Sequence, residues 1–315
     1  MSSNSKSPAG SAGATAWPEL PLAAWQPTYQ TLHMWTQIVG KIRLQLTPQV
    51  NHWWEVPLYV TARGLTTSPI PYGDRVFEIT FDFIDHVLLI ETSDGQTDGM
   101  TLRAQPVADF YREFMGRLHD LDIHAKIWPM PVEVENPIRF DHDLQHASYD
   151  AAHAHAWWRI LLQADTIFKE FRSRFIGKNS PVHFFWGSFD LAVTRFSGRR
   201  APERPGADRI TREAYSHEVI SCGVWPGGKG IDGVAFYCYA APEPPGFRQA
   251  QVRPRAAFYS EDLGGFYLMY DEVRAAEAPK QVLLDFLQST YEAGADLGGW
   301  NRTELERPAA SSVGA

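Results

Sequence analysis

Residues 180–200 read SPVHFFWGSFDLAVTRFSGRR, and this segment is the most informative part of the chain about its architecture. Its β-branched and aromatic residues predict a strand from Val182 to Phe196. Alternate side chains of one continuous strand point to opposite faces. One face would carry Trp186, Ser188, Asp190 and Thr194, and the other would carry His183, Phe185, Phe189, Leu191 and Arg195.

Polar residues are frequent in this predicted strand. A strand that is buried on both faces is normally apolar throughout, whereas Asp190 and Arg195 stand here among large rings. Burying an unpaired charge is costly, so such groups are paired or line a pocket. Two interpretations follow: an ion pair between Asp190 and an arginine that fixes the strand, or a polar row in a cleft with aromatic walls.

A second candidate region is Tyr215-Ser-His-Glu218, where another strand is predicted from His217 to Val224. His217 and Glu218 would point to opposite faces of that strand, so only one of them can face a cleft. His183 and His217, with Asp190 or Glu218, are candidates for a general acid–base pair or for a divalent metal site. Structural, hydrogen-bonded histidines are the third interpretation, because no HExxH or CxxC spacing supports a metal.

Aromatic residues suggest where a ligand would bind. The chain holds 11 Trp, 12 Tyr and 18 Phe, more rings than a core of this size needs. Helical stripes at 32–46 and 157–175 account for many of them, and the remainder lies at 52–54 and 184–189, each group beside a histidine. We therefore expect Trp53, Trp54 and Trp186 to form apolar walls of a cleft. Arg195 or Arg199 would hold an anionic group of the ligand.

The two halves of the chain run in the same order. Each has an aromatic-striped helix (32–46 and 150–176), then strand-like runs, then a closing helix (107–121 and 279–293). The strand-like runs cover 53–62, 76–83 and 86–91 in the first half, and 182–196, 217–224, 234–239 and 266–270 in the second. This order predicts an α+β fold of two similar halves, with mixed or antiparallel strands flanked by helices in one compact unit. Internal duplication and coincidence both remain open as its origin.

The composition also suggests boundaries along the chain. We expect a disordered leader at 1–16, an N-terminal half at 17–123 and a Pro-rich connector at 124–149. A C-terminal half at 150–306 and a disordered tail at 307–315 would follow. The leader lacks an apolar core, so it does not read as a signal peptide.

Charge and hydropathy argue against several classes of partner. The chain has 29 Lys plus Arg against 37 Asp plus Glu, a net charge of −8, so nucleic acid is not expected as a partner. The cluster of Arg199, Arg200 and Arg204 is interpreted as a solvated turn. No apolar stretch reaches the roughly 18–20 residues that a membrane span needs. Cys222 and Cys238 lie in apolar runs without CxxC spacing, which favours buried free thiols and a cytoplasmic location.

Several long segments resemble one bacterial family that is catalogued as a domain of unknown function. They are NHWWEVPLYVTARGLTTSPIPYGDR (51–75), IWPMPVEVENPI (127–138), SPVHFFWGSFDLAVTRFSGRR (180–200), REAYSHEVISCGVWPGG (212–228) and LLDFLQSTYEAGADLGGW (283–300). The resemblance covers nearly all of residues 17–306. It implies a single full-length unit without accessory domains, and it brings neither an activity nor a catalytic residue.

Together these observations predict an enzyme that acts on a small organic molecule in an aromatic-lined cleft. The predicted catalytic groups are His183, Asp190, His217 and Glu218. The predicted ligand-binding groups are Trp53, Trp54, Trp186, Ser188, Arg195 and Arg199, and a divalent metal would be held by His183 and His217. The alternatives are a non-catalytic protein that captures a small ligand, and a homo-oligomeric structural protein that places its aromatic residues at an interface.

Overall fold

Two antiparallel sheets of six strands each, packed against helices, make up the computed structural model, which describes residues 16–308. The α+β class and the similar order of the two halves are therefore confirmed. All strand pairings within residues 16–308 are antiparallel. Each half is a meander, in which strands that follow one another in sequence mostly pair with one another.

The first half begins with helix α1 (Leu22–Leu46) and ends with helix α2 (Val107–Asp120). Helix α1 stops at Thr47, whose backbone is extended because Pro48 follows it. The strands between the helices are β1 (Tyr59–Val60), β2 (Gly64–Thr66), β3 (Ile70–Tyr72), β4 (Arg75–Asp82), β5 (Val87–Thr92) and β6 (Thr97–Thr101). They lie in the order β1-β2-β4-β5-β6, with β3 also paired to β4.

The second half begins with helix α3 (Ala151–Ser173), whose N-terminus is capped by the side chain of Asp150. Its sheet has the order β11-β12-β10-β9-β8-β7. The strands are β7 (His183–Phe185), β8 (Asp190–Arg200), β9 (His217–Trp225), β10 (Ala235–Ala241), β11 (Phe258–Ser260) and β12 (Gly265–Met269). The remaining helices are α4 (Arg209–Ala214), α5 (Tyr270–Arg274), α6 (Pro279–Leu297) and α7 (Arg302–Leu305).

The two sheets meet at their inner edges. Leu58, next to β1, exchanges two backbone hydrogen bonds of 2.9 Å with Phe184 in β7. Both side chains are 0% exposed. This pairing satisfies the backbone groups of Leu58 and Phe184 at the edges of the two sheets. The junction therefore joins the halves through one antiparallel bridge between a single pair of residues.

Two strand predictions are wrong. Residues 53–62 hold only the short β1, and Asn51–Trp53 forms a 3-10 helix in which His52 and Trp53 have positive φ angles of 61° and 60°. Contacts of the His52 ring with the second half override the local preference for a strand there.

The predicted strand at 182–196 is instead the hairpin β7–β8. The chain turns at 186–189, where Phe189 has a φ of 59° and its N–H donates to the carbonyl of Phe185. Residues directly opposite in the hairpin share a face, and Phe185 is opposite Asp190. Asp190 therefore lies on the same face as His183, and the face assignment made for a single strand is wrong.

The aromatic stripes of the helices form the core, as their spacing predicted. Trp35 of α1 stacks on Phe110 of α2 with ring centres 4.6 Å apart, and Trp157 of α3 stacks on Phe189 at 5.9 Å. Helix α3 packs on β8, and α6 packs on β9 and β10. The face of β8 and β9 that these helices cover carries the apolar residues Leu191, Val193, Cys222 and Val224.

Other sequence predictions concern the ends and the connector. Residues 1–15 and 309–315, and with them most of the predicted leader and tail, lie outside the described residues. The connector between α2 and α3 contains the 3-10 helix Phe140–His142 and otherwise irregular backbone. The domain boundaries stay predictions. Among the described helices, none has the length and apolar character that crossing a membrane requires.

Candidate functional site

A cleft of about 500 Å³ lies where the first half contacts the end of the second sheet. The first half contributes the 3-10 helix at 51–53, and the second half contributes the segment before β7, the end of β8, helix α4 and the start of β9. Its lining residues are Asn51, His52, Lys178, Arg200, Arg209, Arg212, Glu213, Ser216 and His217. Both halves are thus needed to form the cleft.

The cleft is strongly cationic. Of the described residues, four cations and one carboxylate line it: Lys178, Arg200, Arg209 and Arg212 against Glu213. The net charge of the chain, by contrast, is −8. Within residues 16–308, neither the Arg200 nor the Arg212 guanidinium has a hydrogen bond or an ion pair. Guanidinium groups present a planar fork of donors that matches carboxylates and phosphates. Two such forks are therefore free to bind an anion.

Helix α4 places two of these arginines on one side of the cleft. Its N-terminus is capped by Asp208, whose carboxylate accepts a 3.0 Å hydrogen bond from the N–H of Thr211. Arg209 and Arg212 are three residues apart, so they are neighbours on the helix surface. The Arg209 guanidinium lies 5.3 Å from the ring centre of Trp53 and donates to Gln49. The helix thus fixes the positions of two positively charged side chains at the cleft.

The ring of His52 connects the two halves at the base of the cleft. Its Nδ1 donates to the backbone carbonyls of Glu213 and Ala214, at 3.1 and 3.2 Å. Its Nε2 must then be unprotonated, and it accepts a 2.7 Å hydrogen bond from Nζ of Lys178. Burial, followed by the positive charge of Lys178, lowers the pKa of His52. His52 is therefore neutral in a defined tautomer.

His217 lies beside His52, with ring centres 5.7 Å apart. The Ser216 hydroxyl donates to the Glu213 carbonyl at 2.8 Å, so its oxygen accepts the proton of His217 Nδ1 at 3.1 Å. Within the described chain, the remaining nitrogen, Nε2, has no hydrogen-bond partner. Burial, then Lys178 and Arg200, lower the pKa of His217. The ring therefore presents a free lone pair and can act as a base.

His183, the other predicted histidine, lies outside the cleft. Its side chain is 0% exposed, and its ring contacts the edges of Trp54, Tyr59 and Phe185. Among the described residues, neither ring nitrogen has a hydrogen-bond partner. Burial, followed by the charges of Arg43 and Arg172, lowers its pKa to about 3. Trp54 contacts both His183 and His52, so it separates His183 from the cleft.

Asp190 does not form the predicted ion pair with an arginine. It accepts a 2.5 Å hydrogen bond from the hydroxyl of Ser188 and another from the hydroxyl of Tyr237. Burial raises the pKa of Asp190. The ion-pair interpretation is therefore wrong, because two hydroxyl groups satisfy this carboxylate inside the second sheet.

The two arginines expected to hold an anion are already occupied. Arg195 is 1% exposed, with its guanidinium 3.5 Å from the ring centre of Phe171 and bonded to that residue's carbonyl. Arg199 forms a 2.7 Å ion pair with Glu218 and donates to the carbonyls of Gly298 and Gly299. Glu218 lines a separate, smaller cavity of about 260 Å³ instead of the cationic cleft.

Two of the three tryptophans predicted to form walls lie beside the cleft. Trp53 lies under Arg209, and the ring centre of Trp54 is 5.3 Å from Nζ of Lys178. Trp186 is elsewhere: its indole N–H donates to the carbonyl of Val56 at 2.8 Å, and its ring packs on Gly40 of α1. The rings at 52–54 thus adjoin the site, whereas Phe184, Trp186 and Phe189 belong to the core.

Most of the cleft is not predicted by the sequence. The interpretation of Arg200 as part of a solvated turn overlooked its pairing in β8 opposite His217. A signal was present for α4, because Asp208 is a capping residue and Arg209 and Arg212 are spaced for one face of a helix. No local signal linked His52 to Lys178, since 126 residues separate them.

Metal binding was a further sequence prediction. Among residues 16–308, no group of three or more His, Cys, Asp or Glu side chains is arranged to hold a metal ion. His217 is accompanied in the cleft by Lys178 and three arginines, and cations of this kind disfavour a metal ion by like-charge repulsion. The donor set thus suits an anion better than a cation.

Comparison with known proteins places the chain in a family. Residues 17–307 match the model of a family of unknown function, DUF5996. The chain belongs to this family. Searches of curated proteins and of solved structures found no match. The DUF5996 match spans both halves and every residue that lines the cationic cleft, so the cleft is formed entirely within the region shared with the family.

Proposed function

We propose that this protein is an enzyme that acts on a small anionic organic molecule in the cationic cleft, with His217 as the acid–base group. The observation that carries the proposal is the pair of unpaired guanidinium groups, Arg200 and Arg212, in a cleft of an acidic protein. Unpaired cations inside a concave site favour a ligand with carboxylate or phosphate groups. Trp53 and Trp54 would contact the apolar part of that ligand.

The chemistry that this arrangement supports is proton transfer. His217 would accept a proton from the bound molecule at Nε2, because its Nδ1 is held by Ser216. Negative charge that develops on the ligand would be stabilised by the guanidinium groups in the cleft. The proposal places the protein in a bacterial cytoplasm, and the buried free thiols of Cys222 and Cys238 support a reducing compartment.

Calorimetric titration with citrate and with inorganic phosphate tests the anion site. We expect the Arg200→Gln/Arg212→Gln double variant to bind at least about tenfold more weakly, because hydrogen bonds to charged groups contribute about 1.5–3 kcal/mol each. Affinity of the unmodified protein should fall as salt is added. Arg112→Gln is the matched control, since Arg112 is an exposed helix arginine whose side chain pairs, within residues 16–308, only with Asp109. Equal binding by the double variant and the control would contradict the proposal.

A second measurement separates an enzyme from a non-catalytic binding protein. NMR in deuterated buffer would follow exchange of carbon-bound protons in a panel of carboxylated and phosphorylated compounds. His217→Gln should abolish exchange and leave calorimetric binding within a few-fold. Binding without any His217-dependent exchange would favour the non-catalytic alternative. The oligomeric alternative would be favoured if the mass in solution rises with protein concentration and the cleft variants lose this rise.

A further inference from the structure

Lys178 is the lysine among the described residues that line the cleft, and a proton acceptor lies next to its amine. Its Nζ donates to Nε2 of His52 at 2.7 Å. The same atom lies 5.3 Å from the ring centre of Trp54 and 5.0 Å from that of Phe196. Within the described chain, no carboxylate lies within ion-pair distance of it. By contrast, Lys169 and Lys280 pair with Asp165 and Glu170, at 2.6 and 2.7 Å.

The backbone holds Lys178 in place. Its carbonyl accepts a 3.0 Å hydrogen bond from the N–H of Phe196, and two residues later Ser180 N–H donates to Thr194 at 2.8 Å. The segment therefore extends the pairing of β8 instead of forming a free loop. Lys178 is exposed as a whole residue, but partial desolvation lowers the pKa of its amine, which increases the fraction of neutral amine.

The neighbouring residues match a reaction between an amine and a carbonyl compound. A neutral lysine needs a nearby group to accept and return protons, and His52 Nε2 is in hydrogen-bond contact with it. A carbonyl compound that carries an anionic group would find Arg200, Arg209 and Arg212 in the same cleft. The aromatic rings exclude water from one side of the amine.

We infer that Lys178 is a nucleophilic amine that forms an imine with an aldehyde or ketone bearing a carboxylate or phosphate group. This inference rests on the proposed anion-binding function and names its substrate class. Once the imine nitrogen has taken up a proton from solvent, His217 would act on the carbon next to it, where a proton is then easier to remove than in the free carbonyl compound.

The step balances without any further reactant. The lone pair of the neutral Lys178 nitrogen attacks the carbonyl carbon, and the carbon–oxygen π electrons move to oxygen. One amine proton passes to that oxygen through His52, which gives a carbinolamine. The second amine proton joins the hydroxyl group, which leaves as water while the nitrogen lone pair forms the carbon–nitrogen double bond. Nothing is oxidised or reduced.

Reductive trapping of the full-length protein tests this inference. The protein would be incubated with glyoxylate and sodium cyanoborohydride, and the adduct would be located by intact mass and peptide mapping. We expect one adduct, on Lys178, that forms about tenfold faster than labelling of Lys280, an exposed lysine paired with Glu170. Lys178→Arg should abolish the adduct, and the matched control Lys280→Arg should retain it. The Arg200→Gln/Arg212→Gln variant should be labelled more slowly.

Each other outcome has a defined meaning. Labelling spread over Lys41, Lys126 and Lys280, with no preference for Lys178, overturns the inference, and peptide mapping of the unmodified protein shows this even if a variant fails to fold. Equal trapping of the neutral glycolaldehyde overturns the anionic substrate class. If citrate binds in the calorimeter but no adduct forms at Lys178, the anion site is supported and the imine inference is overturned. If the unmodified protein does not bind citrate, the proposed function itself has failed.

Discussion

At the scale of single residues, His183 should make the protein sensitive to acid. Its folded pKa of about 3 lies below the ordinary value of 6.5, so the unfolded chain binds a proton at this residue between those values and the folded protein does not. Stability therefore falls as the pH drops from 6.5 towards about 3, by about 1.4 kcal/mol per pH unit. Above pH 6.5 the residue contributes no pH dependence.

His183→Leu should remove this acid sensitivity. The free energy of unfolding of the variant minus that of the unmodified protein should be roughly 2 kcal/mol larger at pH 5 than at pH 7. The reason is that pH 5 lies 1.5 units below the ordinary pKa of 6.5. Urea denaturation at the two pH values measures the effect. His142→Leu is the control, since the His142 side chain is exposed. An identical pH dependence in the protein and the His183 variant would show that the ring is protonated when folded.

Sequence reasoning could name the histidines but not separate their roles. His183 and His217 both open strands beside aromatic residues, so their local patterns look alike. The difference arises from tertiary packing, which closes Trp54 over one ring and leaves the other at the cleft. His52 shows the same limit, because its partners Lys178 and Glu213 are distant in sequence.

At the scale of elements, the short helix α4 should matter for binding more than for stability. It carries Arg209 and Arg212, and the carbonyls at its end fix His52. Asp208→Ala removes its N-terminal cap, which costs about 1 kcal/mol of helix stability. We expect citrate affinity to fall several-fold with little change in the urea midpoint, because α4 buries none of its side chains.

The cap of helix α3 provides the matched control. Asp150 accepts a 2.9 Å hydrogen bond from the N–H of His153, as Asp208 does from Thr211. Helix α3 lies in the core, so Asp150→Ala should lower the free energy of unfolding by about 1 kcal/mol and leave citrate affinity unchanged. The reverse pattern in the two variants would show that α4 is not the element that positions the cations.

Elements were predicted unevenly for a physical reason. Helices α2, α3 and α6 have apolar residues at helical spacing, and they form within a few residues of the predicted bounds. Helix α1 ends at Leu46 as predicted but begins at Leu22, well before the predicted start at Leu32. The sequence predicts one strand in place of the hairpin β7–β8 because Trp186 and Phe189 keep the aromatic character of the flanking residues. Gly187-Ser188, a pair that is typical of hairpin turns, was the signal for the turn. Ser188 satisfies Asp190 in that turn, a contact that alternation alone does not reveal.

At the scale of the whole molecule, the junction between the sheets should make the two halves unfold together. Leu58 and Phe184 pair across it, and the cleft also draws residues from both halves. Phe184→Ala should lower the free energy of unfolding by roughly 3–5 kcal/mol, as for other fully buried phenylalanines. The Phe184 ring also packs edge-on against Phe189, whose ring stacks on Trp157 of α3, so the loss extends into the helical core.

Hydrogen exchange followed by mass spectrometry can compare the halves directly. In the Phe184→Ala variant, amides of β4 in the first sheet and β10 in the second should lose protection by the same free energy, because one cooperative unit opens as a whole. Phe258→Ala is the control, since Phe258 lies on the outer edge strand and is partly exposed. Loss of protection confined to β10 would mean that the first sheet is stable without the junction. The halves would then be separate domains that share a cleft without sharing a core.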